Sequence, residues 1–97
     1  MFLTLWEFEV KPGCEELFEG VYGPEGEWVQ LFRRDARYRG TRLLRAVGRE
    51  RVYVTVDEWE ARDAYEEFRE TWAAEYAEID GKCEGLTRCE SQIIGAS

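Results

Sequence analysis

Residues 52–68 read VYVTVDEWEARDAYEEF, and the hydrophobic period changes inside this stretch. From Val52 to Trp59 the period is two: Val52, Val54 and Val56 share one face, and Tyr53, Thr55, Asp57 and Trp59 share the other. That alternation is the mark of a strand, and its aliphatic face reads as structural. From Ala61 the period lengthens. Ala61, Tyr65, Phe68, Trp72, Tyr76 and Ile79 follow at steps of four, three, four, four and three, with Glu and Arg between them. This predicts one long amphipathic helix, with Asp80-Gly81 as its C-terminal stop.

Working outward, Thr41 to Val47 reads as a strand joined to Val52–Trp59 through Gly48-Arg49-Glu50-Arg51, a hairpin signal. On the far side of the helix, Leu86 to Ile94 reads as the last strand. There Leu86, Arg88, Glu90, Gln92 and Ile94 are expected opposite Thr87, Cys89, Ser91 and Ile93. At the N-terminus Phe2 to Val10 alternates, with Phe2, Thr4, Trp6, Phe8 and Val10 on one face and Leu3, Leu5, Glu7 and Glu9 on the other. Both faces carry apolar residues, so the sheet needs cover on two sides. Lys11-Pro12-Gly13 ends this strand, and Leu17, Phe18, Val21 and Tyr22 define a short helix. Gly23-Pro24 breaks it, and Pro24 is expected to open a second helix with Trp28, Leu31 and Phe32 as its buried stripe. The order βα(α)ββαβ is ferredoxin-like, an α+β fold with a four-stranded antiparallel sheet and helices on one face.

The 97 residues contain no linker and no low-complexity run, so one domain, residues 1–97, is expected. A chain of this length buries somewhat over ~60% of its unfolded surface, and a second copy would usefully cover an exposed sheet face. A homodimer is therefore expected. Twenty-one acidic residues against thirteen basic ones give a net charge of −8, which repels phosphate backbones and anionic lipid and argues against nucleic-acid or membrane partners. The start MFLTLWEFEVKPG lacks a basic n-region and reads as a first strand, not a signal peptide. No stretch approaches the ~20 apolar residues of a membrane helix, and a soluble, cytoplasmic chain is expected. Cys14, Cys83 and Cys89 are odd in number, lack CxxC spacing and have no histidine beside them. They predict reduced thiols, with neither a disulfide framework nor a metal site.

This order of elements, together with the stretch 52–68, resembles the antibiotic biosynthesis monooxygenase family of dimeric α+β barrels. The resemblance spans nearly the whole chain. Its most specific part is Trp59 closing the third strand, a short acidic link, and Ala64-Tyr65 at the start of the helix. It implies a homodimer whose sheets face one another, and in each subunit a pocket between sheet and helices that takes an aromatic or apolar small molecule. Trp6, Tyr53, Thr55, Phe68, Trp72 and Tyr76 are the implied substrate-binding residues, with Phe18, Tyr22, Trp28 and Phe32 as further lining candidates; all are equally candidates for ordinary core. The implied chemistry is oxidation of a phenol-like substrate by dioxygen with no cofactor.

In that chemistry Trp59, Tyr65 and Arg88 are the implied catalytic residues, matching the family's tryptophan, tyrosine and arginine. Trp59 would wall off the substrate, Tyr65 would hydrogen-bond it, and Arg88 would stabilise anionic character from the pocket side of the last strand. The family's asparagine has no counterpart, since the chain lacks asparagine altogether, and Thr55 is the polar substitute. An unperturbed tyrosine titrates near ~10, so Tyr65 suits donation better than base catalysis. The family's haem-degrading members hold iron through a histidine; histidine is absent here, and Tyr76 or Glu78 falls near that position. Asp57, Glu58 and Glu60 around Trp59 read as a solvated strand end and helix N-terminus, where negative charge is favoured. The alternative for Asp57 is a desolvated general base facing the helices. Cys14, just before a helix, lacks a base to make it a nucleophile. A non-catalytic dimer that binds an aromatic molecule, or a structural subunit with a filled core, is the competing class.

Overall fold

The period-two stretches pair edge to edge. A computed structural model describes residues 1–96. In it β1 (Phe2–Val10), β2 (Tyr38–Arg45), β3 (Val52–Trp59) and β4 (Thr87–Ala96) form one antiparallel sheet in the order β2-β3-β1-β4. β1 and β3 occupy the bounds that their alternation predicts. They pair without irregularity from Phe2 opposite Trp59 to Glu9 opposite Val52. Helices α1 (Glu15–Tyr22), α2 (Glu27–Phe32), α3 (Arg62–Thr71) and α4 (Ala73–Cys83) complete the α+β, ferredoxin-like order. Phe2, Phe8, Val10, Tyr53 and Trp59 of the sheet join Phe18, Tyr22, Trp28, Phe32, Phe68 and Ile79 of the helices in one buried cluster. The helices thus cover a single face. On the other face Leu3, Leu5, Val54 and Val56 are half-buried and Leu44 is exposed.

Five expectations are corrected by packing. The long helix is two, broken at Trp72 (φ −109°, ψ 28°), and it runs past Asp80-Gly81 to Cys83. No Gly or Pro marks the break, and the apolar spacing keeps its phase across it. Pro24 does not open α2: it lies in the turn before it, and Gly26 is the N-cap. A Cβ on Gly26 would stand 2.1 Å from the Val21 carbonyl oxygen, so the two helices meet too closely for any other residue. Leu17 is exposed, because Phe18 and Tyr22 alone of α1 are fully buried. β2 begins and ends earlier than Thr41–Val47, since the hairpin uses residues through Arg51 in left-handed backbone (Gly48 φ 80°, Arg51 φ 58°), leaving Val47 exposed. β4 carries two one-residue bulges against β1, at Arg88 and Ile93. They reset its alternation, so that Thr87, Glu90 and Gln92 stand opposite Val10, Phe8 and Trp6. The side chain of Ile94 lies outside the described residues. Among those residues no helix is long and apolar enough to cross a membrane.

Candidate functional site

Between the helix-covered face of the sheet and the helices lies a cavity of 120 Å³. Its walls are aromatic: Trp6 and Phe8 from β1, Tyr22 from α1, Trp28 and Phe32 from α2, and Tyr76 from α4. Trp28 and Tyr76 meet edge to face with ring centroids 4.7 Å apart. The polar lining comes from β2, β3 and β4 and from two helices, as Thr41, Thr55, Asp57, Arg69, Asp80 and Glu90.

Register explains how the polar groups converge. Thr41, Asp57 and Thr4 stand in one row across β2, β3 and β1. The Thr41 hydroxyl donates to Asp57 Oδ1 at 2.7 Å, and the Thr4 hydroxyl to Oδ2 at 3.4 Å. The Tyr38 hydroxyl lies 2.5 Å from Thr41 Oγ1 and continues the row toward the sheet edge. Asp57 is only 8% exposed and is the one charged residue buried among the described residues. Burial pushes its carboxyl up to about 6 from 3.8, against the opposing pull of the Thr41 and Thr4 hydrogen bonds. The solvated-end reading therefore fails for Asp57, although it holds for Glu60, which is exposed.

Arg69 reaches the cavity from α3. Its guanidinium sits 4.7 Å from the Tyr76 ring centroid and donates to the Tyr65 hydroxyl at 3.3 Å. Burial raises the Tyr22 and Tyr76 hydroxyls well above their ordinary value, so both stay protonated donors. Burial, with Asp80 and Glu84 nearby, also raises the Glu90 carboxyl.

Of the residues singled out from sequence, Trp6, Thr55 and Tyr76 line the cavity, as do the further candidates Tyr22, Trp28 and Phe32 and the alternative base Asp57, whereas Phe18 is core. Trp59 does not line it. It is wholly buried between Phe32, Tyr38, Tyr65 and Phe68, at centroid distances of 4.9 to 5.8 Å. Its indole N–H has no acceptor among the described residues. Tyr65 is buried beside it and touches the cavity only through Arg69, and Phe68 is core. Tyr53 turns away from the cavity, donating to Glu19 Oε2 at 2.5 Å, with Arg45 bonded to both. Trp72 is half-buried beneath the Arg34 guanidinium, 4.9 Å from its ring. Arg88 is exposed at its bulge and does not line the cavity. Phe8, Arg69, Thr41, Asp80 and Glu90 are the lining groups that sequence reasoning did not single out as site residues. Arg69 had one signal, its position four residues after Tyr65 on the same helix face.

No protein-family model matches the sequence, and no curated protein sequence does either. Solved structures do match. A variant of SnoaB, a cofactor-independent oxygenase from Streptomyces nogalater, superposes with a TM-score of 0.80 at 18% identity over 99% of this chain and 90% of that one. A candidate antibiotic biosynthesis monooxygenase from Bordetella bronchiseptica gives 0.71 at 24% identity over 99% and 94%. A variant of MhuD carrying two manganese protoporphyrin IX molecules per active site gives 0.74 at 18% over 100% and 93%. At such identities the likeness establishes the fold, and the resemblance drawn from residues 52–68 stands at that level.

Proposed function

We propose that the cavity binds a small aromatic molecule carrying an ionisable hydroxyl, and that the protein oxidises it with dioxygen without a cofactor. The observation that carries this reading is the coincidence, in one cavity, of six aromatic walls with a buried carboxylate and a guanidinium. Aromatic walls hold a flat apolar ligand, and a few convergent polar groups orient it. Cavities of about 150 Å³ accept a benzene-sized guest, so 120 Å³ favours a single ring. Three carboxylates (Asp57, Asp80, Glu90) against one guanidinium (Arg69) disfavour a ligand that brings its own carboxylate. The SnoaB likeness is consistent with this chemistry.

In this reading Trp6, Thr55 and Tyr76 touch the ligand, and Arg69 faces the oxygen that becomes anionic. Trp59 and Phe68 back the wall, and Tyr65 positions Arg69. Tyr53, Trp72 and Arg88 take no direct part. The working unit is a homodimer joined through the open sheet face, where Leu3, Leu5, Val54 and Val56 are half-buried and Leu44 is exposed.

The test is to titrate purified protein with single-ring phenols and hydroquinones, reading tryptophan fluorescence for binding and an oxygen electrode for turnover. Quenching with oxygen uptake in metal-free, flavin-free buffer is the expected result. Tyr65→Phe should fold normally and lower turnover. Binding with no oxygen uptake would leave a small-molecule-binding protein, and no binding at all would leave a structural one.

A further inference from the structure

The row Tyr38, Thr41, Asp57 joins two separate hollows. Asp57 and Thr41 line the aromatic cavity. Thr41 and Tyr38 also line a second depression, with Arg33 and Arg39, beside the outer strand β2. Thr41 thus has one side toward each, and the carboxylate inside is linked through two hydroxyls to the outside.

Resting on the binding reading above, we propose that Asp57 is the base that takes the ligand's hydroxyl proton, and that Thr41 and Tyr38 carry that proton to solvent at the β2 edge. A ligand filling the cavity blocks the direct water route to Asp57, so resetting the base behind it requires another path. Each hydroxyl can donate one hydrogen bond and accept others, so the chain can turn its direction. The ligand's O–H bond breaks, its electron pair stays on the ligand oxygen, and the proton joins a carboxylate oxygen of Asp57. Asp57 then passes a proton to Thr41 Oγ1, Thr41 passes its own to the Tyr38 oxygen, and Tyr38 passes its own to water. The step consumes no oxidant or reductant.

The surroundings suit a base. Among the described residues no cation forms an ion pair with Asp57, so the carboxylate is not locked in its charged form. Its affinity for a proton is raised to about 6 by burial, near the operating range a general base needs. The groups facing it are Thr4 from β1, Thr41 and Tyr38 from β2, and, across the cavity, Arg69, Tyr76, Asp80 and Glu90. Tyr22 and Tyr76 are raised above their ordinary value and do not compete as bases.

The experiment uses a nitrophenol, coloured only when ionised, as the probe. Binding at neutral pH is followed by visible absorbance and by difference infrared spectroscopy of the carboxylic acid C=O band. Wild type should show coloured, bound phenolate together with a new protonated-carboxyl band. Asp57→Asn should take the probe up uncoloured and show no band. With the probe bound, exchange of that carboxyl proton in heavy water, read as a shift of the same band, should slow on the order of tenfold or more in Thr41→Val and in Tyr38→Phe. These two variants carry the test even in the event that Asp57→Asn does not fold. Colour and band together support the proposal. Binding without the carboxyl band overturns it and leaves the binding reading standing. Exchange as fast in both relay variants as in wild type overturns the relay. No binding by wild type overturns the reading and the inference together.

Discussion

Burial of Asp57 works against its own charge, and the sign of that effect can be measured. Its carboxyl holds a proton more tightly in the fold (about 6) than its ordinary value of 3.8 implies for the unfolded chain. Ionising it in place therefore weakens the fold: no penalty exists below 3.8, it grows as pH rises, and it is complete above about 6. The difference between those two values corresponds to about 3 kcal/mol, an upper figure for what neutral pH costs at this site. Asp57→Asn keeps the shape and can bond both threonines without a charge. It should raise the melting temperature at neutral pH by about 4–8 °C for each kcal/mol recovered, and thermal melts across pH should show the gain vanish under acid conditions. A stabilising substitution that abolishes activity is the expected trade at a functional site. Glu19 and Asp35, held low by hydrogen bonds from Tyr53 and Arg37 respectively, titrate with the opposite sign. Comparing variant with wild type removes their contribution. The parity of residues 52–59 placed Asp57 on the helix-covered face; its depth depended on Thr4 and Thr41, which lie far away in sequence.

Two glycines test the helices that roof the cavity. Gly26 sits where a Cβ would meet backbone oxygens of Val21 and Gly20 at 2.1 and 2.6 Å. Gly26→Ala should push α2 off α1, cost about 1–3 kcal/mol as overpacking does, and weaken ligand binding through Trp28 and Phe32. Gly20 lies within α1 with nothing inside 4 Å of a Cβ. Gly20→Ala should add about 0.5–1 kcal/mol by removing backbone freedom from the unfolded chain. Denaturant titrations should show opposite shifts in midpoint for the two variants, with unchanged slope for Gly20→Ala. The break at Trp72 and the β4 bulges are features of the same scale. Both were hidden, because the break keeps the apolar phase and a bulge leaves no residue type that announces it.

For the whole molecule, the open face of the sheet is where association should be read. Val56 stands next to Leu5, and Val54 next to Leu44, across the β3 pairings. Wild type should sediment at twice the chain mass, and Val56→Lys should shift it to the single-chain mass and lower its melting temperature. The cavity lies on the opposite face, so the variant should still bind a phenol when kept below its melting point. Loss of binding in a folded single chain would mean that the partner shapes the site.

Local periodicity determined β1 and β3 to the residue, the face on which each of their residues sits and the order of strands and helical segments along the chain. Those properties follow from backbone geometry, with its periods of 2.0 and 3.6. Tertiary packing alone decided which aromatics enclose space and which fill it. Trp59 and Asp57 share a face two residues apart, yet Phe32, Tyr38 and Phe68 close solidly over the first, while the second opens onto a hollow between β1, α2 and α4. Parity gives direction but not what lies across the gap, and what lies across is set by helices packed from distant parts of the chain.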